Sequence, residues 1–265
     1  MQHQIVQYVV LAAASFVAGA MNSVAGGGTI LTFPSLLAVG VSPVLANGTS
    51  TVALLPASIS AYYGYRNEAT SSSRDMTALA MPSLLGGILG ALLVVWVGNK
   101  VFGALVPWLV LSATVLFIAQ DPIRRWLDRR RAASGASGAE IDDEGNASLG
   151  GIIFQFFVAL YGGFFGAGIG ILMLASLGIM GMRDMHRMNR LKNFLAVCIN
   201  GIAALTFAFK QQVNWPIAGL MMGGAIAGGY LGAGMARRVG QANVRRIVIV
   251  IGLAIGVVML AKQIR

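Results

Sequence analysis

The sequence is poor in charge. Only 11% of its 265 residues are Asp, Glu, Lys or Arg, where a soluble domain usually carries about 25%, leaving too little polar material to cover a water-facing surface. Acidic residues are scarcest: Glu68, Asp75, Asp121, Asp128, Glu140, Asp142, Asp143, Glu144 and Asp184 are all there are. Each falls in a loop or at a segment end, so no carboxylate is expected in the interior to bind a cation or relay a proton. The single cysteine, Cys198, excludes an intramolecular disulfide and a cysteine-rich metal site. Two histidines, His3 and His186, are too few for a histidine metal cluster. No metal or cofactor is therefore expected. A membrane-embedded enzyme would lack a deep general base, so the expected role is not catalytic.

In place of charge there are apolar runs. Hydrophobic residues make up 57% of the chain, the mean hydropathy is +0.76, and the runs approach the ~20 residues a helix needs to cross a bilayer. They fall at roughly 5–25, 28–41, 43–65, 75–98 and 101–119, then 149–168, 169–181, 190–210, 214–236 and 244–262. The expected fold class is an all-α integral membrane protein. Thirty-five glycines against seven prolines suit such a protein, since small residues let membrane helices approach closely. The leading MQHQ lacks the basic residues of a signal peptide, so the first run is expected to be retained. Between the two sets of runs, 120–148 is charged and rich in Ser, Gly and Ala. It reads as a linker whose first third extends the preceding helix.

The two sets match. Gly26-Gly27-Gly28 corresponds to Gly168-Ile169-Gly170, and Asn47-Gly48-Thr49-Ser50 to Asn189-Arg190-Leu191-Lys192, both at an offset of 142 residues. Pro82 and Gly90 face Pro216 and Gly228 at a slightly shorter offset. The expectation is an internal duplication: 1–119 as a first membrane repeat, 120–148 as a cytoplasmic linker, and 149–265 as a second repeat. With about five membrane helices in each half, fifteen of the nineteen basic residues fall on one side. That excess marks the side as cytoplasmic and gives the halves inverted topology, with both termini outside. The same placement explains the net charge of +10 without a nucleic-acid partner. Segments 28–41 and 169–181 are short for a span, and short glycine-interrupted segments at matching positions point to a transporter's binding site.

These residues resemble a known pattern. Ala18-Gly19, Gly26-Gly27-Gly28, Phe33-Pro34-Ser35-Leu36-Leu37, Gly40, Pro43 and Ala46-Asn47-Gly48-Thr49-Ser50 are similar to the first-half signature of the TauE/SafE sulfite exporter family. In the second half, Gly166-Ala167-Gly168-Ile169-Gly170 replaces the usual glycine triplet, and Ser176 stands where proline is common. Asn189-Arg190-Leu191-Lys192-Asn193 resembles the family's lysine-containing motif. The resemblance implies a multi-pass protein of the bacterial inner membrane that exports sulfite, a sulfonate or a related small anion. A channel, or a transporter of another small organic anion, is the alternative.

The residues suggest where such an anion would sit. Unwinding at Gly26, Gly27 and Gly28 would aim the dipole of a helix restarting near Thr29 at the break, and Gly168 and Gly170 can do the same in the second half. Glycine used purely for close packing is the competing account. Asn47, Thr49 and Ser50 read as either an N-cap cluster or hydrogen-bond donors to an oxyanion. Lys192 is either a ligand, with Asn189 and Asn193 beside it, or a lysine snorkelling to the surface. Asn22 and Ser23 are further polar candidates, and Asn200 must find a partner in the core. Gly224 and Gly228, four residues apart, suit a homodimer contact or internal packing; internal packing is the expectation.

Overall fold

The computed structural model describes residues 2–24, 27–65, 73–133, 149–180, 182, 184–239 and 241–264. Among them every regular element is helical: α1 (Gln2–Val24), α2 (Thr29–Ala38), α3 (Pro43–Tyr65), α4 (Ser73–Ala133), α5 (Leu149–Phe164), α6 (Ile169–Ile179), α7 (Met185–Phe209), α8 (Trp215–Val239) and α9 (Gln241–Ile264). The segments at Gln4–Asn22, Pro43–Tyr63, Met76–Ala119 and His186–Phe209 are each long and apolar enough to cross a membrane. This is a multi-pass membrane protein. Large side chains such as Trp96, 82% exposed, and Phe209, 84% exposed, are turned outward, as suits a lipid-facing surface.

Local chemistry sets the boundaries. Pro43 opens α3, where its missing N–H costs nothing, and the Val44 N–H donates to Asn99 Oδ1 at 2.9 Å. The first turn of α7 is capped by Asp184, whose carboxylate accepts from the His186 N–H at 2.9 Å. That cap starts α7 at Met185, five residues before the expected segment, because His186, Arg187, Asn189 and Arg190 interrupt the apolar pattern there. α4 runs for 61 residues but is broken at Gly98, with φ 71° and ψ 178°. That backbone region is essentially closed to residues with a Cβ, and the break separates an arm at 73–97 from one at 99–133. The second arm carries helix into the expected linker as far as Ala133; residues 134–148 lie outside the described set.

α2 and α6 have 10 and 11 residues. At ~1.5 Å per residue they reach about 15 Å, half of a ~30 Å hydrocarbon core. The short segments expected at 28–41 and 169–181 are thus half-helices preceded by glycine turns.

Helices meet over small residues. α1 lies along α8, and α5 lies along the first arm of α4. A Cβ on Gly19 would run into the Ala225 backbone, and one on Gly228 into the Phe16 carbonyl. Across the other pair, Gly163 abuts the Gly87 backbone and Gly90 abuts the Leu160 carbonyl. Gly224 sits against Ser15 and Ala12 of α1, so both glycines of the 224/228 pair are packed within the chain. α3 packs on α7, α2 on α9, and α6 on α4. A T-shaped aromatic cluster ties the half-helices to this frame. The Phe33 ring of α2 lies 5.4 Å from Phe165 and 6.1 Å from Phe102, in the edge-to-face geometry that aromatic pairs prefer.

Candidate functional site

The half-helices begin at comparable turns. In the first, the Ile30 N–H donates to the Gly27 carbonyl at 3.1 Å and the Leu31 N–H to Gly28 at 3.0 Å. In the second, Gly168 caps α6 from the left-handed region, with φ 76°, and the Ile171 N–H donates to its carbonyl at 3.0 Å. A helix start leaves N–H groups without intrahelical acceptors and carries about half a positive charge. Thr29 and Gly170, in these first turns, both line one cavity of about 60 Å³. A single water needs ~10–15 Å³ measured this way, so the space suits an anion of a few heavy atoms.

The cavity is built from both halves at matching positions. Gly27 and Ile169, Thr51 and Asn193, Leu54 and Ala196, and Ser58 and Asn200 all line it, and each pair is 142 residues apart. Asn200 Nδ2 lies 3.4 Å from Ser58 Oγ, to which it donates. These two side chains, 142 residues apart, therefore touch each other at the cavity wall.

Its polar lining favours an anion. Lys192 lines the cavity, its ammonium 3.3 Å from Asn189 Oδ1, which accepts from it. It stands two turns into α7 and only partly buried, its Cδ 3.6 Å from where a Cβ on Gly170 would be. Asn193 lines the same space and is 8% exposed. Its Nδ2 makes no hydrogen bond among the described residues. A buried amide without an acceptor is costly, and a lining donor of this kind invites one. No residue lining the cavity is acidic.

Of the residues expected at the site, Asn22, Gly27, Thr29, Gly170, Lys192 and Asn193 converge here. Gly26 lies outside the described residues. Gly28, Gly168 and Asn189 stand one shell back, the first two as helix caps and Asn189 as the acceptor for Lys192. Asn47, Thr49 and Ser50 do not line the cavity, and none is an N-cap, because α3 begins at Pro43. Asn47 Nδ2 donates to the Phe164 carbonyl at 3.0 Å. Thr49 Oγ1 donates to Leu45 at 2.6 Å and accepts from the Asn214 N–H at 3.0 Å. Ser50 pairs with Thr32 at 2.6 Å. Thr51 and Ser58 are lining residues that the motifs did not single out. Subtracting the repeat offset from Asn193 and Asn200 would have found both.

The chain is similar to known membrane transporters. The family model described as "Sulfite exporter TauE/SafE" matches residues 11–259. A probable membrane transporter protein of Haemophilus influenzae is 27% identical, over 96% of this chain and 94% of the relative. The probable membrane transporter protein YfcA of Escherichia coli strain K12 is 29% identical, over 89% of this chain and 83% of the relative. The probable membrane transporter protein ORF9 of a Sinorhizobium species is 27% identical, over 94% and 90%. No solved structure matches the chain.

Proposed function

The chain belongs to the TauE/SafE sulfite exporter family, and on that premise we propose that it carries a small sulfur oxyanion or sulfonate out of the bacterial cell across the inner membrane. The observation that carries this reading is the cavity shared by Lys192, the unpartnered Asn193 amide and the first turns of α2 and α6. Two half-helix N-termini supply partial positive charge, Lys192 a full one, and Asn193 a hydrogen bond; none of these suits a cation.

In this reading the basic loops and 120–148 face the cytoplasm and the two halves have inverted topology. The excess of Arg and Lys on that side supports it. An inside-negative potential favours export by about 2.3 kcal/mol per charge per 100 mV, so no coupling ion is required. The transporter names of the family and of the relatives support a role in transport rather than catalysis.

The test is flux of sulfite, thiosulfate, taurine, sulfoacetate and sulfate from proteoliposomes, with counterflow measured for whichever moves. Saturable flux with counterflow supports a carrier. Flux without saturation or counterflow makes the same cavity a channel. Absence of sulfur-anion flux from inserted protein overturns the substrate class.

A further inference from the structure

The two halves carry matching positions in unlike surroundings. In the second half, Gly170 and Lys192 line the cavity and are partly exposed. Their counterparts at the 142-residue offset, Gly28 and Ser50, do not line it; both are buried. A Cβ on Gly28 would come within 2.8 Å of the Ala18 carbonyl, whereas the nearest atom to one on Gly170 is Lys192 Cδ at 3.6 Å. The space beside Gly170 and Lys192 is open and the equivalent space beside Gly28 and Ser50 is closed, while their neighbours Gly27, Thr29 and Thr51 line the cavity.

What closes it is polar. Ser50 Oγ and Thr32 Oγ1 lie 2.6 Å apart, and both residues are 0% exposed. Thr32 donates to the Gly28 carbonyl at 3.3 Å, so the Ser50 hydroxyl donates to Thr32. This pair links the half-helix to α3 at the position where, in the other half, Lys192 faces the cavity. Ser50 is eight residues from Ser58 along α3, and Lys192 eight from Asn200 along α7. Each therefore stands about 12 Å of helix from the Ser58–Asn200 contact.

Resting on the exporter reading above, we propose that the Thr32–Ser50 hydroxyl pair is a second anion-binding station, the far-side counterpart of Lys192. It is covered in this conformation and uncovered when the two halves exchange arrangements. Two packings of similar halves that differ by a few kcal/mol interconvert readily. In the exchanged arrangement Ser50 and Thr32 turn their hydroxyls to the anion's oxygens instead of to each other, while the shell around Lys192 and Gly170 closes. The anion then passes from an ammonium on the near side to neutral hydroxyls on the far side, where weaker attraction favours release.

The experiment reads the side from which each position is reached and requires no substrate. On a Cys198→Ser background, Ser50→Cys and Lys192→Cys are each treated with a membrane-impermeant maleimide in spheroplasts and in inverted membrane vesicles. Thr32→Cys is the second far-side variant, should Ser50→Cys fail to insert. The expected result is labelling of Lys192→Cys from one face and of the far-side cysteine from the opposite face. The far-side rate should be about 0.1–10% of the other, the range for a minor conformer. Labelling of the far-side cysteine from the same face as Lys192→Cys, from both faces, or from neither overturns the proposal. Opposite-face labelling in a protein that moves no sulfur anion would leave the exchange standing and overturn only the substrate. Saturable flux without opposite-face labelling would do the reverse.

Discussion

Asn200 Nδ2 donates to Ser58 Oγ at 3.4 Å across a separation of 142 residues, the offset that relates the two halves of the sequence. The contact joins α3 to α7 at the cavity wall. At this length the bond is weak, at the low end of the ~0.5–1.5 kcal/mol net for a protein hydrogen bond. A double-mutant cycle of Ser58→Ala and Asn200→Ala, followed by unfolding in detergent, should give a coupling of about 0.5 kcal/mol. Strict additivity would show that the two side chains do not meet.

Asn193 separates binding from stability. Its buried Nδ2 has no partner among the described residues, so Asn193→Ala removes no hydrogen bond and should change stability by less than about 1 kcal/mol. A hydrogen bond to a charged group is worth roughly 1.5–3 kcal/mol, so KM for the transported anion should rise tenfold or more. Thermal unfolding and flux kinetics on the same preparation check both halves of this expectation. A large loss of stability with unchanged KM would make Asn193 a structural residue.

Packing glycines should divide into two groups. Gly228→Ala and Gly90→Ala push a methyl group into the Phe16 and Leu160 carbonyls, and each should destabilise by about 1–3 kcal/mol. Gly219 and Gly223 have no atom within 4 Å of an added Cβ, so alanine there should be neutral or stabilising by up to ~1 kcal/mol. Melting temperatures in detergent distinguish the groups.

The break at Gly98 makes a different demand. An added Cβ meets nothing within 4 Å, yet φ is 71° and ψ 178°. Gly98→Ala should cost about 1–3 kcal/mol from backbone strain alone. A fully neutral substitution would show that the arms at 73–97 and 99–133 do not require this conformation.

The sequence disclosed what repeats and what is apolar. The bounds of α3, 43–65, follow from Pro43 and the apolar run behind it, and the half-helices follow from glycines flanking segments too short to span. The start of α7 stayed hidden because His186, Arg187, Asn189 and Arg190 break the apolar run there, and the Asp184 cap holds that turn in a helix. Lys192 therefore lies deeper in its helix than the apolar run suggested. Asn47, Thr49 and Ser50 were recognisable as a polar cluster, but their partners lie 117, 165 and 18 residues away. Composition cannot say whether a hydroxyl faces a cavity or a distant backbone group. Thr51 and Ser58 were within reach, since the repeat offset maps them onto Asn193 and Asn200.

The most direct test of the account is sulfite flux from proteoliposomes carrying wild type or Lys192→Ala, measured against sulfite concentration. The account predicts saturable wild-type flux and, in the variant, a KM raised about tenfold or more, the loss of one charge-assisted contact worth ~1.5–3 kcal/mol. Sulfite flux in the variant equal to wild type at every concentration would contradict it and remove Lys192 from the site.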